Sequence, residues 1–243
     1  MKEIFYSIED TIFSSFPDYV RGVVVARSVK NGPSPGDLVA LLREEERSLR
    51  EKLGKDNPAD HPRITSWREA FRKTGVKPAE FRSSIEAMAR RIVKGQEIPS
   101  INALVDIGNV VSLRHLVPAG GHSLDDVKED LSLRTARGDE VFVPLGETEE
   151  EHPVPGEIIF AEGRTILTRR WSWRQGNHTL TLPETTSIEF NVDGLPPVEP
   201  GEVEEACREI TEYVERFCGG ILRWGILSAA EPAMSLSFPE PCR

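Results

Sequence analysis

No stretch of the chain approaches the roughly 18 consecutive apolar residues that a membrane span needs, and the opening MKEIFYSIED lacks the basic and apolar segments of a secretory leader. A soluble, cytoplasmic protein without membrane contact is expected. Cysteine is scarce. Cys207, Cys218 and Cys242 are an odd number with no C-x-x-C pair and no histidine at zinc spacing, so they are read as reduced and structural. His115 precedes His122 by seven residues, which fits no common zinc pattern, and no metal or other cofactor is expected. Also missing are a G-x-S-x-G elbow, a cysteine in a glycine-rich or basic setting, a Walker loop and a dinucleotide glycine loop. Covalent nucleophilic catalysis has no support.

Positive charge is in deficit, with 30 Lys and Arg against 40 Asp and Glu, a net charge of −10. Because phosphate binding depends on counterions released at basic patches, a general nucleic-acid binder is disfavoured and DNA is not an expected partner. The distribution is uneven, however. Residues 61–100 hold nine basic side chains against four acidic ones, and Arg164, Arg169, Arg170 and Arg174 form a second stretch free of acids. Arg82, Glu86, Arg90 and Lys94 recur at intervals of four, which reads as one exposed helix face, either merely solvated or turned to phosphates. Arg82, Arg90, Lys94 and Arg170 are the candidates for such contacts.

With no linker, repeat or low-complexity segment to divide it, the 243-residue chain reads as one domain. Its parts are an N-terminal elaboration (1–60), a core (61–195) and a C-terminal helix and tail (196–243). Helices are expected from Ser34 to Gly54, from a capping box at Ser66 to Glu69, from Pro78 to Gly95, and from Val203 to Gly219. Tyr19–Val29 reads as a buried strand. Short strands follow at Leu131–Arg134, Glu140–Val143, Glu157–Ala161, Thr165–Thr168, His178–Leu182 and Ser187–Val192, with a hairpin turn at Glu162-Gly163. The class is α+β.

The segment Ala103 to Asp125 carries most of the functional information. Asp106 and Asn109 interrupt the apolar run Leu104, Val105, Ile107, Val110 and Val111. Burying either side chain without a partner costs several kcal/mol, roughly 2–7 for a neutral group, so each must hydrogen-bond or line a polar site. The turn Pro118-Ala119-Gly120-Gly121 then presents His122 on a loop, ahead of Leu124 and Asp125. In Trp171-Ser172-Trp173-Arg174-Gln175, strand alternation would put both tryptophans on one face and Arg170, Ser172 and Arg174 on the other. The tryptophans either fill the core or wall a pocket, and an indole there would stack on an amino-acid side chain or a terminal adenine.

VDxxN at Val105–Asn109 followed by HxLD at His122–Asp125 resembles a known editing domain, and with Gly156-Glu157 and WSWRQ at Trp171–Gln175 in order the chain resembles free-standing relatives of that domain. That domain belongs to the β subunit of phenylalanyl-tRNA synthetase, and its free-standing relatives are more similar still, from about Trp67 to Asp193. Nothing resembles the synthetase's anticodon-binding or aminoacylation modules. The resemblance implies a β-sandwich of unusual topology flanked by helices, and an activity that deacylates mischarged aminoacyl-tRNA in trans without aminoacylation. Under it, His122 and Asn109 position the ester and water, Asp106 orients its neighbours, Arg174 holds a carbonyl or phosphate, and Trp173 shapes the side-chain pocket. A glutamate on the last strand of the synthetase domain contacts the tyrosine hydroxyl, and here Glu189 or, in another register, Asn191 takes that place. WSWRQ replaces a glycine-rich turn, so the amino-acid specificity does not transfer. Two other functions fit the same residues: a non-catalytic module that binds tRNA or an amino acid, and a hydrolase for an unrelated small molecule.

Overall fold

The computed structural model describes residues 3–238, and Cys242 lies outside the described residues. In chain order the elements are β1 (Phe5–Ile8), α1 (Asp10–Ser15), β2 (Val20–Arg27), α2 (Gly36–Leu53), a short 3-10 turn (Pro58–Asp60), α3 (Pro62–Lys73), α4 (Ser84–Val93) and α5 (Ala103–His115). They continue with β3 (Ala119–Ser123), β4 (Leu131–Thr135), β5 (Ile158–Glu162), β6 (Thr165–Arg169), β7 (Arg174–Gln175), β8 (Ser187–Gly194), α6 (Pro200–Phe217), β9 (Ile221–Leu227) and β10 (Ala233–Ser235). The strands make a six-stranded sheet, ordered β10-β1-β4-β5-β6-β7, and a four-stranded sheet, ordered β3-β8-β2-β9. This is the α+β class expected. The first 60 residues supply interior strands to both sheets, since β1 lies between β10 and β4 and β2 between β8 and β9.

The four-stranded sheet has two unlike faces because strand side chains alternate. One face carries Gly22, Val24, Ala26, Ile188, Phe190 and Val192 and receives α5 and α6. Gly22 allows the closest approach: a Cβ there would stand 2.2 Å from Cys207 Sγ and 3.0 Å from Val203 on α6. The other face carries Arg21, Glu189, Asn191, Asp193 and His122 and looks toward the six-stranded sheet, where His122 meets the Phe160 ring at 5.1 Å and Arg21 reaches the Tyr6 hydroxyl at 2.7 Å. A polar layer therefore runs between the sheets.

Several expectations are corrected. His122 is on strand β3, paired with β8 from Ala119 to Ser123, and not on a loop; glycines at 120 and 121 disguise the strand because they carry no alternating side chains. A Cβ at Gly121 would come within 2.9 Å of the Ile188 side-chain tip, which would have to shift to admit it. The apolar run from Ala103 is a helix buried on nearly every side, so it has no polar stripe to betray its period. Helix α3 starts at Pro62, capped by His61, whose ring accepts from Arg63 N at 3.3 Å. Ser66 lies inside that helix and its hydroxyl turns back to Arg63 O. Helix α4 starts at Ser84 under a Ser83 cap, leaving Phe81 and Arg82 outside it. Residues 171–173 form a turn, because Arg170 and Trp171 adopt left-handed φ values of 48° and 64° that break strand alternation. The segment 178–182 is not a strand, and 140–143 makes only isolated bridges at Val141 and Phe142.

Candidate active site

Helix α5, strands β3 and β8, and the chain from Thr168 to Leu182 enclose a cavity of about 450 Å³. Asn109, His122, Trp173, Arg174 and Asn191 line it, together with Gln175, Thr168, Thr181, Asp193 and the apolar Leu104, Val105, Trp171 and Leu180. Asp106 is not among its walls. Three residues before Asn109 on α5, Asp106 faces a different neighbour: it is fully buried and accepts from Ser34 Oγ at 2.6 Å, from Ile101 N at 3.1 Å and from Ser100 Oγ. Its bonds tie the entry to α5 and the start of α2 together, so its place is structural and not in the cavity. Asn109 meets the opposite outcome. Half-exposed on the cavity side, its amide makes no hydrogen bond among the described residues.

His122 is engaged through both ring nitrogens. Gln175 Nε2 lies 3.2 Å from Gly121 O, 3.2 Å from Thr179 O and 3.3 Å from His122 Nδ1. The two carbonyls can only accept, which puts the amide nitrogen on their side and commits both of its hydrogens to them. Nδ1 lies 2.6 Å from Thr179 Oγ1 and Nε2 3.1 Å from Thr168 Oγ1, so the single imidazole proton serves one of these bonds and the other ring nitrogen accepts. Burial, aided by the positive charge of Arg21, lowers the His122 pKa to about 3. The ring is a neutral hydrogen-bonding group at physiological pH.

Behind these walls Arg21 grips Asp193 with Nε to Oδ1 at 2.6 Å and Nη2 to Oδ2 at 3.0 Å, and the Tyr19 hydroxyl donates to the same Oδ1 at 2.5 Å. Asn191 Nδ2 donates to Glu189 Oε1 at 3.3 Å. Glu189 is fully buried and does not line the cavity, and its Oε2 has no partner. Burial raises its pKa to about 8, against the opposing pull of Arg21. Of the two register alternatives, Asn191 is the one exposed to a ligand in the cavity.

Arg174 lines the cavity but its guanidinium is held by Glu147 at 2.7 Å. The face read as solvated on α4 is different from expectation, because Glu86 is buried and gathers Arg68 at 2.7 Å, Arg90 at 2.8 Å and Arg82 at 4.0 Å. Lys94 is exposed at the end of α4. Arg170 is half-buried, with its guanidinium 3.7 Å from the Phe81 ring centre and 4.4 Å from that of Trp173. Trp171 is in the core, edge-on to Tyr19 and Trp67, while Trp173 reaches the cavity. His115 turns to Glu209 of α6 at 3.1 Å.

Sequence reasoning missed Gln175 and Thr168 as site residues. Gln175 closes the WSWRQ element, and a glutamine ending so unusual an aromatic cluster was the available signal. Thr168 had none, because a threonine in a strand is ordinary.

The family model described as the B3/4 domain matches residues 66–219. Among solved structures, the chain is similar to an N-terminal fragment of the phenylalanyl-tRNA synthetase β-subunit from Pyrococcus horikoshii, with 12% identity and a TM-score of 0.46 over 91% of this chain and 51% of that one. The chain thus spans about half the length of that fragment. No curated protein matches it.

Proposed function

The chain belongs to the B3/4 domain family, and from that premise we propose that it deacylates mischarged aminoacyl-tRNA in trans, in the cytoplasm, with no aminoacylation activity of its own. The observation that carries this reading is the convergence of Asn109, His122, Thr168 and Gln175 on one cavity of about 450 Å³, a volume within the usual range for a small-ligand site. Water adds to the ester carbonyl, the bond to the ribose oxygen breaks, and the products are a free amino acid and a ribose hydroxyl. Such a step needs an oriented water and donors aimed at the developing oxyanion, and the substrate's neighbouring ribose hydroxyl assists proton transfer. Thr168, whose hydroxyl is oriented by neutral His122, is the donor for the oxyanion. Asn109 supplies an unengaged amide for the water, and the Gln175 amide, anchored on two carbonyls, packs beside the imidazole.

Incubation of the purified protein with a panel of correctly and incorrectly charged tRNAs tests the proposal. Hydrolysis above the spontaneous rate for a subset of mischarged pairs is the expected result. Binding of charged tRNA with no hydrolysis for any pairing would favour the recognition-only module instead.

A further inference from the structure

Trp173 is fixed in orientation on one side and open to the cavity on another. The Arg170 guanidinium lies 4.4 Å from its ring centre, and Phe81 meets it edge-on at 4.8 Å and 78°. Arg170 is held to the two rings mainly by cation–π attraction, since Nη1 is buried without a partner and Glu157 is 3.8 Å from Nη2. An indole held by two neighbours that still lines a cavity can act as a stacking platform with little ordering cost when a ligand arrives. Beside it, Ser172 is 8% exposed and lines the cavity, and its hydroxyl has no hydrogen-bond partner. Ser84, joined to it by a backbone bond from Ser84 N to Ser172 O at 2.8 Å, lines the cavity too. A buried hydroxyl left unpaired is unfavourable, and a polar ligand atom beside the indole would satisfy it. The exposed lining residues Ile101, Leu145 and Leu182 are aliphatic and offer no ring to stack on.

We propose that Trp173 and Ser172, with Ser84, form the subsite for a purine base, and that its occupant is the terminal adenine of tRNA. The indole stacks on the base and the Ser172 hydroxyl bonds to its polar edge. The choice of occupant rests on the deacylase reading, because the aminoacyl ester hangs from the ribose of the terminal adenosine and a base must lie one sugar away from the reacting carbonyl. Stacking alone tolerates any base, so preference for adenine depends on the hydroxyl.

Adenosine 5′-monophosphate and uridine 5′-monophosphate are suitable probes, titrated against the protein while indole resonances and fluorescence are followed. Adenosine monophosphate should bind saturably and at least about 5-fold more tightly than the uridine compound. Trp173→Leu should weaken it by roughly 5- to 100-fold, the range of base–aromatic stacking, and Trp173→Phe by less. Ser172→Ala removes a hydroxyl that makes no hydrogen bond in the chain, so it should leave thermal stability unchanged or raise it while weakening adenosine monophosphate by roughly 2- to 10-fold, one neutral hydrogen bond. Equal binding of both nucleotides, absence of saturable adenosine monophosphate binding, or unchanged affinity in folded Ser172→Ala and Trp173→Phe would overturn the subsite. So would displacement of the Trp173 signal by an aromatic amino-acid ester but by neither nucleotide. Deacylation without any preference for adenine would remove the subsite and leave the proposed function. Adenine-selective binding without deacylation would keep the subsite and remove the enzyme.

Discussion

Replacing Glu189 with glutamine should flatten the pH dependence of stability on the alkaline side of neutrality. Glu189 is fully buried, its pKa is raised from 4.5 to about 8, and Oε2 has no partner. A carboxyl whose folded pKa is raised stabilises the fold below its unfolded pKa, and that contribution is lost as pH rises through the folded value. His122 acts in the opposite sense. Its pKa is lowered from 6.5 to about 3, so its contribution is present above pH 6.5 and is lost as the pH falls toward 3. Between about pH 4.5 and 6.5 the two slopes oppose each other, whereas between 6.5 and 8 only Glu189 changes appreciably. At 1.36 kcal/mol per proton and pH unit, the wild type should lose about 1.5 kcal/mol across that interval. Glu189→Gln preserves the shape and the contact with Asn191 and cannot ionise, so it should lose at most a few tenths. Urea unfolding at pH 6.5 and pH 8, with m-values compared to guard against a change in the denatured state, reads the difference. Repulsion from the net charge of −10 contributes nearly equally to both proteins and drops out of the comparison. Equal slopes in the two proteins would mean that Glu189 is ionised in the fold and that the buried layer is organised differently.

The other predictions concern the cavity and its supports. Because His122 stays neutral down to about pH 3, the ratio of enzymatic to spontaneous deacylation should show no limb near pH 6.5, and His122→Ala should lower the rate by about 10²-fold at all pH values from 6 to 8; a limb near 6.5 that the variant loses would assign the ring a proton-transfer role. Asp106→Ala, which strands two serine hydroxyls and a backbone N–H, should cost about 3 kcal/mol in denaturant unfolding, yet the folded variant should deacylate within about 3-fold of wild type if the residue is outside the chemistry. Arg90→Gln should destabilise by about 1 kcal/mol or more because buried Glu86 loses one of its cations, whereas Lys94→Gln should change stability by less than about 0.5 kcal/mol; equal costs would refute the distinction drawn between them.

The site was legible wherever polar residues stood out against an apolar background. Asp106 and Asn109 were both flagged by burial cost, and the structure separates them: one is satisfied by bonds within the chain and the other faces the cavity. Sequence alone could not divide them, since that depends on which loop covers which side of α5. The long amphipathic helices α2 and α6 and the strands β4, β5, β6 and β8 were readable from period and caps. Where the period failed, local geometry had overridden it. Helix α5 is buried on nearly every side, two of the five residues of β3 are glycine, and two left-handed residues turn the WSWRQ strand into a bend. Strands β1, β9 and β10 depend on partners distant in sequence and gave no local signal.

The charge distribution now bears on how a substrate would be held. Of the nine basic residues between 61 and 100, seven spend their side chains within the chain. Arg63 bonds Glu202, Arg68 and Arg90 bond Glu86, Lys77 bonds Glu80, and Lys73, Arg82 and Arg91 bond backbone carbonyls. Only Arg72 and Lys94 make no side-chain bond among the described residues. Arg174 and Arg169 are likewise paired, with Glu147 and with Glu151 and Glu157. Among the nine, Arg63, Arg68, Lys77 and Arg90 are paired with carboxylates, as are Arg169 and Arg174, so fewer counterions are released on meeting a polyanion than the count of basic residues implies, and affinity for an RNA backbone should be modest. Discrimination then falls to the end of the molecule that can enter the cavity, where stacking and neutral hydrogen bonds act at short range and are little screened. An acidic chain can serve a tRNA substrate on those terms, by capturing the terminal nucleotide and its ester and leaving most of the phosphates in solvent.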